Sequence, residues 1–350
     1  MKVAEKPLKE ILTSLLITMG AADKEARLVA DVLVQADMRG IHTHGCSFFP
    51  LIAERKAAAM INIPTRTQRI VDDEAVTLID GNNGLGQVAA AEAMEVCISK
   101  AEKFGVAVTL VRNTNHIGFL AYYALMAVKK GMIGVCMTNA APSMAPWGGA
   151  EPLFGTNPLS IAASVSDRSP IVLDMSSSVA ARGKIRRAAR LNEKIPQGWA
   201  LDSKGNPTTD PAEALKGTVL PIAGPKGYGL ALFIDLICGL LSGSKYGRDL
   251  LSFHQPIGPT GVGAMLMAID ISRFMPRERF EILACEYAEA IIRSKKAMGV
   301  SRIYLPGEIE AENEKISGTQ GIDLDAQIIE KINQICKEKG LSVHLEELRS

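Results

Sequence analysis

The alternation of short apolar runs, glycine turns and helical segments in the middle of the chain restricts its fold more than any other feature. Residues 75–81 form a β-rich run that ends in a glycine turn, and residues 88–104 then have the periodicity of a helix. A second helix is predicted over 120–130. Strands that alternate with helices are typical of an α/β core. The remaining strand candidates are 106–111, 133–137 and 170–173.

Both ends of the chain are predicted to be helical. Residues 7–19 place apolar side chains at three- and four-residue spacing and end at Gly20, and a second stripe of this kind ends near Gly40. These two stripes predict a helical hairpin. The other predicted elements are amphipathic helices over 277–298 and 323–339, a helix buried on most sides over 228–241, and an irregular arm over 186–217 with a turn at 203–206.

Length and composition exclude several classes of protein. With 350 residues, of which 47% are hydrophobic, the chain is long enough for about two domains with apolar cores. The 39 Lys and Arg residues nearly balance the 38 Asp and Glu residues, so no overall field attracts nucleic acid or an anionic membrane. Six cysteines, at least 39 residues apart, exclude CxxC pairs and zinc knuckles and are typical of reduced thiols in a cytoplasmic protein. We expect neither export nor a membrane span, because the start lacks a signal-peptide run and Asp235 interrupts the most apolar stretch.

Two segments carry histidines in positions suited to chemistry. His42 and His44 lie between glycines after the second predicted helix, and His116 follows the strand candidate 106–111. An imidazole takes or gives a proton near neutral pH, and polar residues at strand ends line clefts in α/β folds. Both segments are equally compatible with structural roles, as surface histidines after a helix and as a helix-capping loop. The pattern does not complete a zinc site, because no Cys, Asp or Glu cluster accompanies the histidine pair.

Three further segments resemble anion-binding loops or strand ends. Residues 81–90 contain G-x-G-x-x-A after a strand, but the acidic partner of a Rossmann site about 20 residues on is missing, so we interpret them as a turn. The segment 224–229 brings Lys226 to the start of a helix, without the Gly-Lys-Ser/Thr of a Walker loop. Asp174 ends a strand candidate, and Arg182 and Lys184 follow it. A flexible loop and solvated charges explain these last two segments equally well.

Taken in this order, the segments resemble the type 2 malate/L-lactate dehydrogenase family of NAD(P)-dependent 2-hydroxyacid oxidoreductases, whose relatives include ureidoglycolate dehydrogenases and diketogulonate reductases. The resemblance extends over about residues 8–312. It rests on ten blocks: RGIHTHG (39–45), DGNNGLGQ (80–87), NHIG (115–118), PWGG (146–149), GTNP (155–158), DMS (174–176), GK (183–184), GWALD (198–202), GPKGYG (224–229) and PGE (306–308).

The resemblance implies an α/β fold of the non-Rossmann kind, with a mixed-sheet cofactor domain and a mainly helical second domain built from both chain ends. The α/β cofactor-binding domain is expected over 76–264, and the helical dimerisation domain over 1–75 plus 265–350. Members of the family are commonly dimers with the cofactor near the subunit junction. A homodimer is therefore expected.

The resemblance also implies roles for individual residues. His44 falls at the position of the family's proton-transferring histidine, and Thr43 can relay the proton or orient the ring. His116 is the second acid–base candidate, and Lys184 is expected to stabilise the alkoxide. The substrate is expected beside Thr156, Arg182 and Phe48. NAD, or NADP, is expected to contact His116, Ile117, Gly118, Asn139, Ala140, Asp174, Met175, Ser176, Pro225, Lys226, Pro306, Gly307 and Glu308, and no metal, nucleic acid or membrane is expected to take part.

The implied reaction passes a hydride between carbon 2 of a small 2-hydroxy or 2-oxo acid and the nicotinamide, while a histidine carries the hydroxyl proton. One position departs from the family pattern. The family usually has an arginine four residues after its proton-transferring histidine, which is His44 here, and this chain has Phe48 at that position. A neutral aromatic ring cannot pair with a carboxylate. The substrate anion is therefore expected to meet Arg182, Lys184 or Arg55, or the substrate has an apolar or uncharged end.

Three other functions remain open on the sequence. Relatives of this fold act as ureidoglycolate or diketo-sugar-acid dehydrogenases or imine reductases. A metal-dependent hydrolase would use His42, His44, His116 and Asp174. A family member that binds the dinucleotide without turnover is also compatible with Phe48.

Overall fold

The computed structural model describes residues 1–255, 257–342 and 345. Its strands are β1 (Lys2–Val3), β2 (Gln68–Asp73), β3 (Val76–Asp80), β4 (Val106–Thr114), β5 (Met132–Thr138), β6 (Leu159–Ala163), β7 (Ile171–Met175), β8 (Ala200–Leu201), β9 (Pro207–Thr208), β10 (Thr218–Val219), β11 (Val262–Asp270) and β12 (Ile322–Asp323). Its α-helices are α1 (Glu5–Thr18), α2 (Asp23–Met38), α3 (Phe49–Ala57), α4 (Gly86–Phe104), α5 (Ala121–Val128), α6 (Arg182–Leu191), α7 (Pro211–Lys216), α8 (Pro225–Asp235), α9 (Arg277–Ile292), α10 (Glu308–Gln320) and α11 (Ala326–Glu338).

A mixed sheet with the strand order β2-β3-β4-β11-β5-β6-β7 forms the centre of the molecule. Within the described residues, its one parallel pair is β3 and β4, and the crossover between them is α4, because parallel neighbours cannot be joined by a tight hairpin. Strand β11 returns from far along the chain and lies antiparallel between β4 and β5. Most of its residues are buried, as expected of a central strand covered on both faces. The predicted α/β core and the mixed sheet are confirmed.

Two different layers cover the faces of this sheet. Helix α4 packs closely on one face, because Ala89, Ala93 and Ala101 leave room for the strands behind them, and the fully buried Tyr123 of α5 belongs to the same core. On the other face, the segment that starts with α8 contributes Ile234 to a second apolar cluster. The sheet is therefore buried on both sides, and its strand ends are the places where polar side chains emerge.

The helical layer formed by the chain ends confirms the predicted hairpin. Leu8, Leu12 and Leu15 of α1 interlock with Val29 and Leu33 of α2, and all five side chains are fully buried. Apolar residues of α11 complete the same core, and β1 pairs with β12, so the two chain ends are joined. The predicted boundaries at 75/76 and 264/265 fall inside the sheet, since β2 belongs to it and β11 runs across the second boundary. The division into two domains stays a prediction.

The prediction of an irregular arm over 186–217 is wrong for about half of its length. The segment contains most of α6, all of α7 and the strands β8 and β9 of a small sheet ordered β10-β8-β9. Helix α6 was not recognised because Ile185 is its one buried side chain among the described residues and the rest are mostly basic, so no apolar stripe marks it. The predicted turn is present, since Asp202 Oδ1 accepts hydrogen bonds from the backbone N–H groups of Lys204 and Asn206 at 2.8 Å.

The segment 228–241 also differs from its prediction. It continues α8 into a wider π-helical turn over Leu236–Leu241, and it is not buried on most sides. Phe233 is 64% exposed and Leu241 is 70% exposed. None of the helices in the described ranges combines the length and the apolarity needed to cross a bilayer.

Candidate active site

A buried carboxylate fixes the loop that carries the first histidines. Asp37 lies in the last turn of α2, and it accepts a hydrogen bond from the backbone N–H of Cys46 at 2.6 Å and contacts His42 Nδ1 at 2.9 Å. A β-carbon at Gly45 would lie 2.3 Å from the Asp37 carboxylate, so only glycine fits there. The loop is therefore pinned at both ends, with His44 between the two contacts.

The two histidine segments that the sequence singled out meet in space. The ring centroids of His44 and His116 are 5.2 Å apart. Phe48 stacks on His116 with 4.1 Å between centroids and an interplanar angle of 19°. Both imidazoles are partly accessible, whereas Phe48 is buried. The predicted catalytic pair and Phe48 therefore form one cluster.

Backbone contacts hold His116 in this position. It follows the end of β4, where the Asn115 side chain donates hydrogen bonds to the backbone oxygens of Asn83 and Gly84 in the glycine turn. The Gly118 N–H donates to His116 Nδ1 at 3.1 Å. Gly118 has a φ of +82°, and a β-carbon there would lie 2.8 Å from Val32. The turn that positions the ring therefore depends on glycine.

The His44 ring has a side-chain hydrogen-bond partner, whereas the His116 ring has a backbone partner. His44 Nδ1 lies 2.8 Å from Thr43 Oγ1, so the threonine is the direct partner of that nitrogen. Thr43 in turn contacts the first turn of α6, where a β-carbon at Gly183 would lie 2.9 Å from the Thr43 methyl group. Helix α6 is thereby brought against the histidine loop.

Burial keeps both catalytic candidates neutral. It lowers the pKa of His44 to about 4. The pKa of His116 is also well below its usual value, because of burial and then of the neighbouring imidazoles of His44 and His254. Near pH 7 each ring therefore has one protonated and one free nitrogen.

Sequence reasoning missed two aromatic residues of this cluster, Phe253 and His254. The ring of Phe253 is 5.5 Å from that of Phe48, and His254 meets Phe48 edge-on, also at 5.5 Å. Both residues lie in the connection between the π-helical turn and β11, which has no periodicity. The signal that was available is His254 itself, one of only five histidines in the chain.

Arg55 lies behind this connection and does not reach the cleft, contrary to the expectation that it meets the substrate anion. It is 2% exposed, and its guanidinium donates to the backbone oxygens of Phe253, Gln255 and Gly258. Its guanidinium carbon is 4.8 Å from the centroid of the Phe253 ring. Arg55 therefore anchors the loop that presents Phe253 and His254.

Helix α6 contributes the other two predicted cations, Arg182 and Lys184, and also Arg186. Arg182 donates one hydrogen bond to the Leu215 backbone oxygen at 2.7 Å, and Arg186 lies 3.1 Å from His254 Nε2. Lys184 is exposed. In the described part of the chain, none of these three has a carboxylate partner. The site therefore has unpaired positive charge beside its histidines.

Several of the predicted cofactor residues lie around β7. The exposed Asp174 side chain accepts a hydrogen bond from the Ala121 N–H at the start of α5 at 3.0 Å. Thr156 accepts at its backbone oxygen from Ser177, and a β-carbon at Gly227 would lie 2.6 Å from the Ser177 oxygen. These contacts bring the segments around Thr156, Asp174 to Ser176, and Lys226 together.

The predicted cofactor segment Pro306–Glu308 contacts β7 near the start of that strand. The Pro306 backbone oxygen accepts from the Val172 N–H at 2.9 Å, and Gly307 has a φ of +83° with Val172 2.7 Å from its would-be β-carbon. Glu308 pairs with Arg302 at 2.5 Å. A cavity of about 220 Å³ opens beside this turn, lined in part by Pro306, Glu308 and Arg168.

Two predicted cofactor residues, Asn139 and Ile117, have few groups free to bind a ligand. The Asn139 side chain donates to Asp235 and to the Lys245 backbone oxygen and accepts from Gly263, so it is fully used within the fold. Ile117 is 1% exposed, and its carbonyl accepts from the Tyr123 hydroxyl. The Asn139 side chain and the Ile117 carbonyl are therefore engaged within the fold. Among the described residues, no three His, Cys, Asp or Glu side chains are grouped as metal ligands.

Comparison with known proteins identifies the family. The family model for malate/L-lactate dehydrogenase matches residues 3–333. The chain is 38% identical to L-sulfolactate dehydrogenase of Methanocaldococcus jannaschii, covering 96% of both chains, and 33% identical to ureidoglycolate dehydrogenase (NAD(+)) of Escherichia coli K12, covering 93% of both. The crystal structure of malate dehydrogenase from Entamoeba histolytica superposes with a TM-score of 0.94 at 29% identity, over 98% of this chain and 99% of that one. The chain therefore belongs to the malate/L-lactate dehydrogenase family and is an NAD(P)-dependent dehydrogenase of 2-hydroxy acids.

Proposed function

We propose that in this dehydrogenase His44 carries the hydroxyl proton of the 2-hydroxy acid, while His116 donates a hydrogen bond to the same oxygen. The observation that carries the proposal is the difference between the hydrogen bonds of the two rings, whose centroids are 5.2 Å apart. One imidazole that transfers the proton and one that donates a hydrogen bond to the same oxygen suit a reversible hydride transfer at a C–OH group.

His116 is suited to donate and unsuited to accept. Because its Nδ1 accepts from the Gly118 N–H, the proton of the neutral ring is on Nε2. That nitrogen can donate to a substrate oxygen. The ring is not suited to take up a proton, because Nε2 already carries one and Nδ1 already accepts the hydrogen bond from Gly118. His116 therefore polarises a carbonyl or stabilises an alkoxide without changing its own charge.

His44 is suited to take up and release the proton. Thr43 Oγ1 can accept from Nδ1–H, which leaves Nε2 free as the base in oxidation. When Nε2 gains the proton, the Nδ1–H bond to Thr43 is kept and strengthened, because its donor is then charged. The ring therefore changes protonation state without moving.

The carboxylate of the substrate is assigned to Arg182, and the Thr156 hydroxyl is assigned to the substrate as a further donor. Arg182 uses one donor on Leu215 and keeps the others, and it has no carboxylate partner among the described residues. Phe48 closes the site against His116 with an apolar face. Lys184 is exposed on the same helix and can supply further positive charge.

The surroundings of β7 fit a dinucleotide. The exposed Lys226 lies in the first turn of α8, where free N–H groups and a cation suit a phosphate, and Gly224 there adopts a φ of +61°. We assign the remaining contacts to Asp174–Ser176, to the backbone of His116–Gly118 and Asn139–Ala140, and to Pro306–Glu308. NAD or NADP, when bound, supplies or accepts the hydride at the nicotinamide ring. The protein positions the substrate carbon, excludes water with Phe48 and Phe253, and handles the proton at His44.

The chain is further proposed to act as a cytoplasmic homodimer. Its free cysteines, most of them buried, support a reducing compartment. The exposed apolar side chains Phe233, Leu240 and Leu241 support a partner surface, because single soluble chains rarely expose such a cluster. Light scattering after gel filtration tests the dimer, and a monomer mass at micromolar concentration would contradict it.

A substrate screen tests the function. Purified protein is incubated with lactate, malate, sulfolactate, ureidoglycolate and their oxidised forms, each with NAD(H) and NADP(H), while the absorbance of the reduced nicotinamide is followed. We expect turnover of at least one 2-hydroxy acid, with His44 exchanging the hydroxyl proton. Dinucleotide binding without any turnover on this panel would instead support a member that has lost catalysis.

A further inference from the structure

Arg186 and His254 form a hydrogen-bonded pair at the edge of the catalytic cluster. The Arg186 guanidinium lies 3.1 Å from His254 Nε2. An arginine only donates, so Nε2 must be unprotonated and the His254 ring is neutral, with its proton on Nδ1. Burial and the charges of Arg186 and Arg182 lower the pKa of His254 to about 4, which agrees with this assignment. One nitrogen of the guanidinium is thereby fixed, and its remaining N–H groups stay available.

The pair is one aromatic ring away from the catalytic histidine. His254 meets the edge of Phe48 at 5.5 Å, and the face of Phe48 covers His116 at 4.1 Å. The loop that carries His254 is not free to move away, because the buried Arg55 holds the backbone oxygens of Phe253 and Gln255. Arg186 therefore contacts a histidine whose loop is anchored to the rest of the fold.

Among the residues that the structure describes, no carboxylate balances the positive charge around this pair. Arg182 and Arg186 are close enough that Arg186 lowers the pKa of Arg182, after the larger effect of burial. Neither arginine has a carboxylate partner in the described ranges of the chain. Two neighbouring cations that are partly withdrawn from water repel each other, and an anion bound between them removes that repulsion.

We propose that Arg186, oriented by His254, binds a second acidic group of the substrate, a carboxylate or sulfonate on carbon 3. The inference rests on the proposed function, because Arg182 then takes the carboxylate next to the reacting carbon. The planar guanidinium offers two parallel N–H groups to such an oxyanion.

The first test compares substrates that differ in the group on carbon 3. For the wild type, kcat/KM is measured with malate, 3-sulfolactate and lactate, and the ratio of each dianion to lactate is calculated. In Arg186→Gln we expect both ratios to fall about 30-fold, the size of one lost charge-assisted hydrogen bond. In Arg186→Lys, which keeps the charge but not the two parallel N–H groups, we expect an intermediate ratio. A fall for only one dianion identifies the oxyanion that the pair recognises.

Two variants control for indirect effects. Arg187→Gln removes a neighbouring, exposed arginine of the same helix and is expected to leave both ratios within twofold of the wild type. His254→Phe keeps a ring against Phe48 but removes the acceptor for Arg186. We expect it to raise KM for the dianions more than it changes kcat, because it affects the orientation of Arg186 and not the proton transfer.

A binding experiment separates this inference from the proposed function. Calorimetric titration with succinate and with butyrate needs no turnover, and we expect wild type to bind succinate more tightly and Arg186→Gln to lose the difference. If no hydroxy acid is turned over, the proposed function fails while this titration still tests the pair. Equal binding of the two acids by the wild type, unchanged ratios in Arg186→Gln, or an effect confined to KM for NAD(P)H would overturn the inference.

Discussion

The ring of Phe48 lies over that of His116, with 4.1 Å between the centroids and 19° between the planes. This contact closes the active site on one side and removes water from an imidazole that has to donate a hydrogen bond. Phe48 stands where the family usually has an arginine, and its stacking on His116 keeps this part of the active site packed. The consequences can be measured on stability, on pH dependence and on catalysis.

Replacing Phe48 by alanine is expected to destabilise the fold. Phe48 is 7% exposed and contacts four aromatic rings, so its removal leaves a cavity and should lower the free energy of unfolding by about 3 kcal/mol. Urea denaturation measures the change. Phe274→Ala is the matched control, because that ring is 72% exposed and its loss should change stability by less than about 0.5 kcal/mol. Equal effects of the two substitutions would contradict the packing role of Phe48.

The two catalytic histidines should respond differently to substitution. His44→Ala is expected to lower kcat by about 10²–10⁴-fold, as removal of a general base does, and added imidazole should restore part of the rate. His116→Gln keeps an N–H donor and should retain more activity than His116→Ala, which imidazole should not restore. Steady-state kinetics with an imidazole titration distinguish the roles. Rescue of His116→Ala and not of His44→Ala would reverse the assignment.

The pH profile of oxidation follows from the lowered pKa of His44. A base has to be unprotonated, and with a pKa of about 4 the ring is neutral throughout the neutral range. We expect kcat/KM for hydroxy-acid oxidation to be constant between about pH 6 and pH 8 and to fall as the pH approaches 4, since kcat/KM reports the free enzyme. A profile that rises through pH 6.5 would show an imidazole with an ordinary pKa.

Stability should fall on the acid side for the same physical reason. Burial lowers the pKa of His44 and of His116 below the value of 6.5 that applies to the unfolded chain. The unfolded state then binds protons more readily than the folded state, so the stabilisation is complete above pH 6.5 and is lost as the pH falls towards 4. Thermal melts of the wild type and of His44→Gln over this range measure the effect, and the variant should show a shallower decline.

Asp37 is expected to control the geometry of the histidine loop. Asp37→Asn removes the charge that accepts from the Cys46 N–H and pairs with His42, so kcat should fall and the free energy of unfolding should decrease by about 2 kcal/mol. The pKa of His42, which the hydrogen bond with Asp37 raises, should return towards its ordinary value in an NMR titration. Asp23→Asn, which removes an exposed ion pair with Arg27, is the control and should change neither kcat nor His42. A normal kcat in Asp37→Asn would show that catalysis does not depend on the contacts of Asp37 with this loop.

The sequence by itself determined the elements whose side chains follow a local period. The apolar stripe of α1 with Leu8, Leu12 and Leu15 specifies a buried helical face, and the β-branched run of β4 specifies a buried strand. The candidate histidines His44 and His116 were also identifiable, because glycine-bracketed or strand-terminal imidazoles are suited to proton transfer. These features depend on neighbours within a few residues, which the linear order records directly.

Tertiary structure alone decided which of these elements meet. The insertion of β11 between β4 and β5 and the ordering of α6 depend on contacts across long stretches of chain, and no local period encodes them. The same holds for His254, which reaches Arg186 across 68 residues of sequence, and for Arg55, which the fold turns away from the cleft. The free energy of packing and of charge burial selects these partners, and it is a property of the whole folded chain.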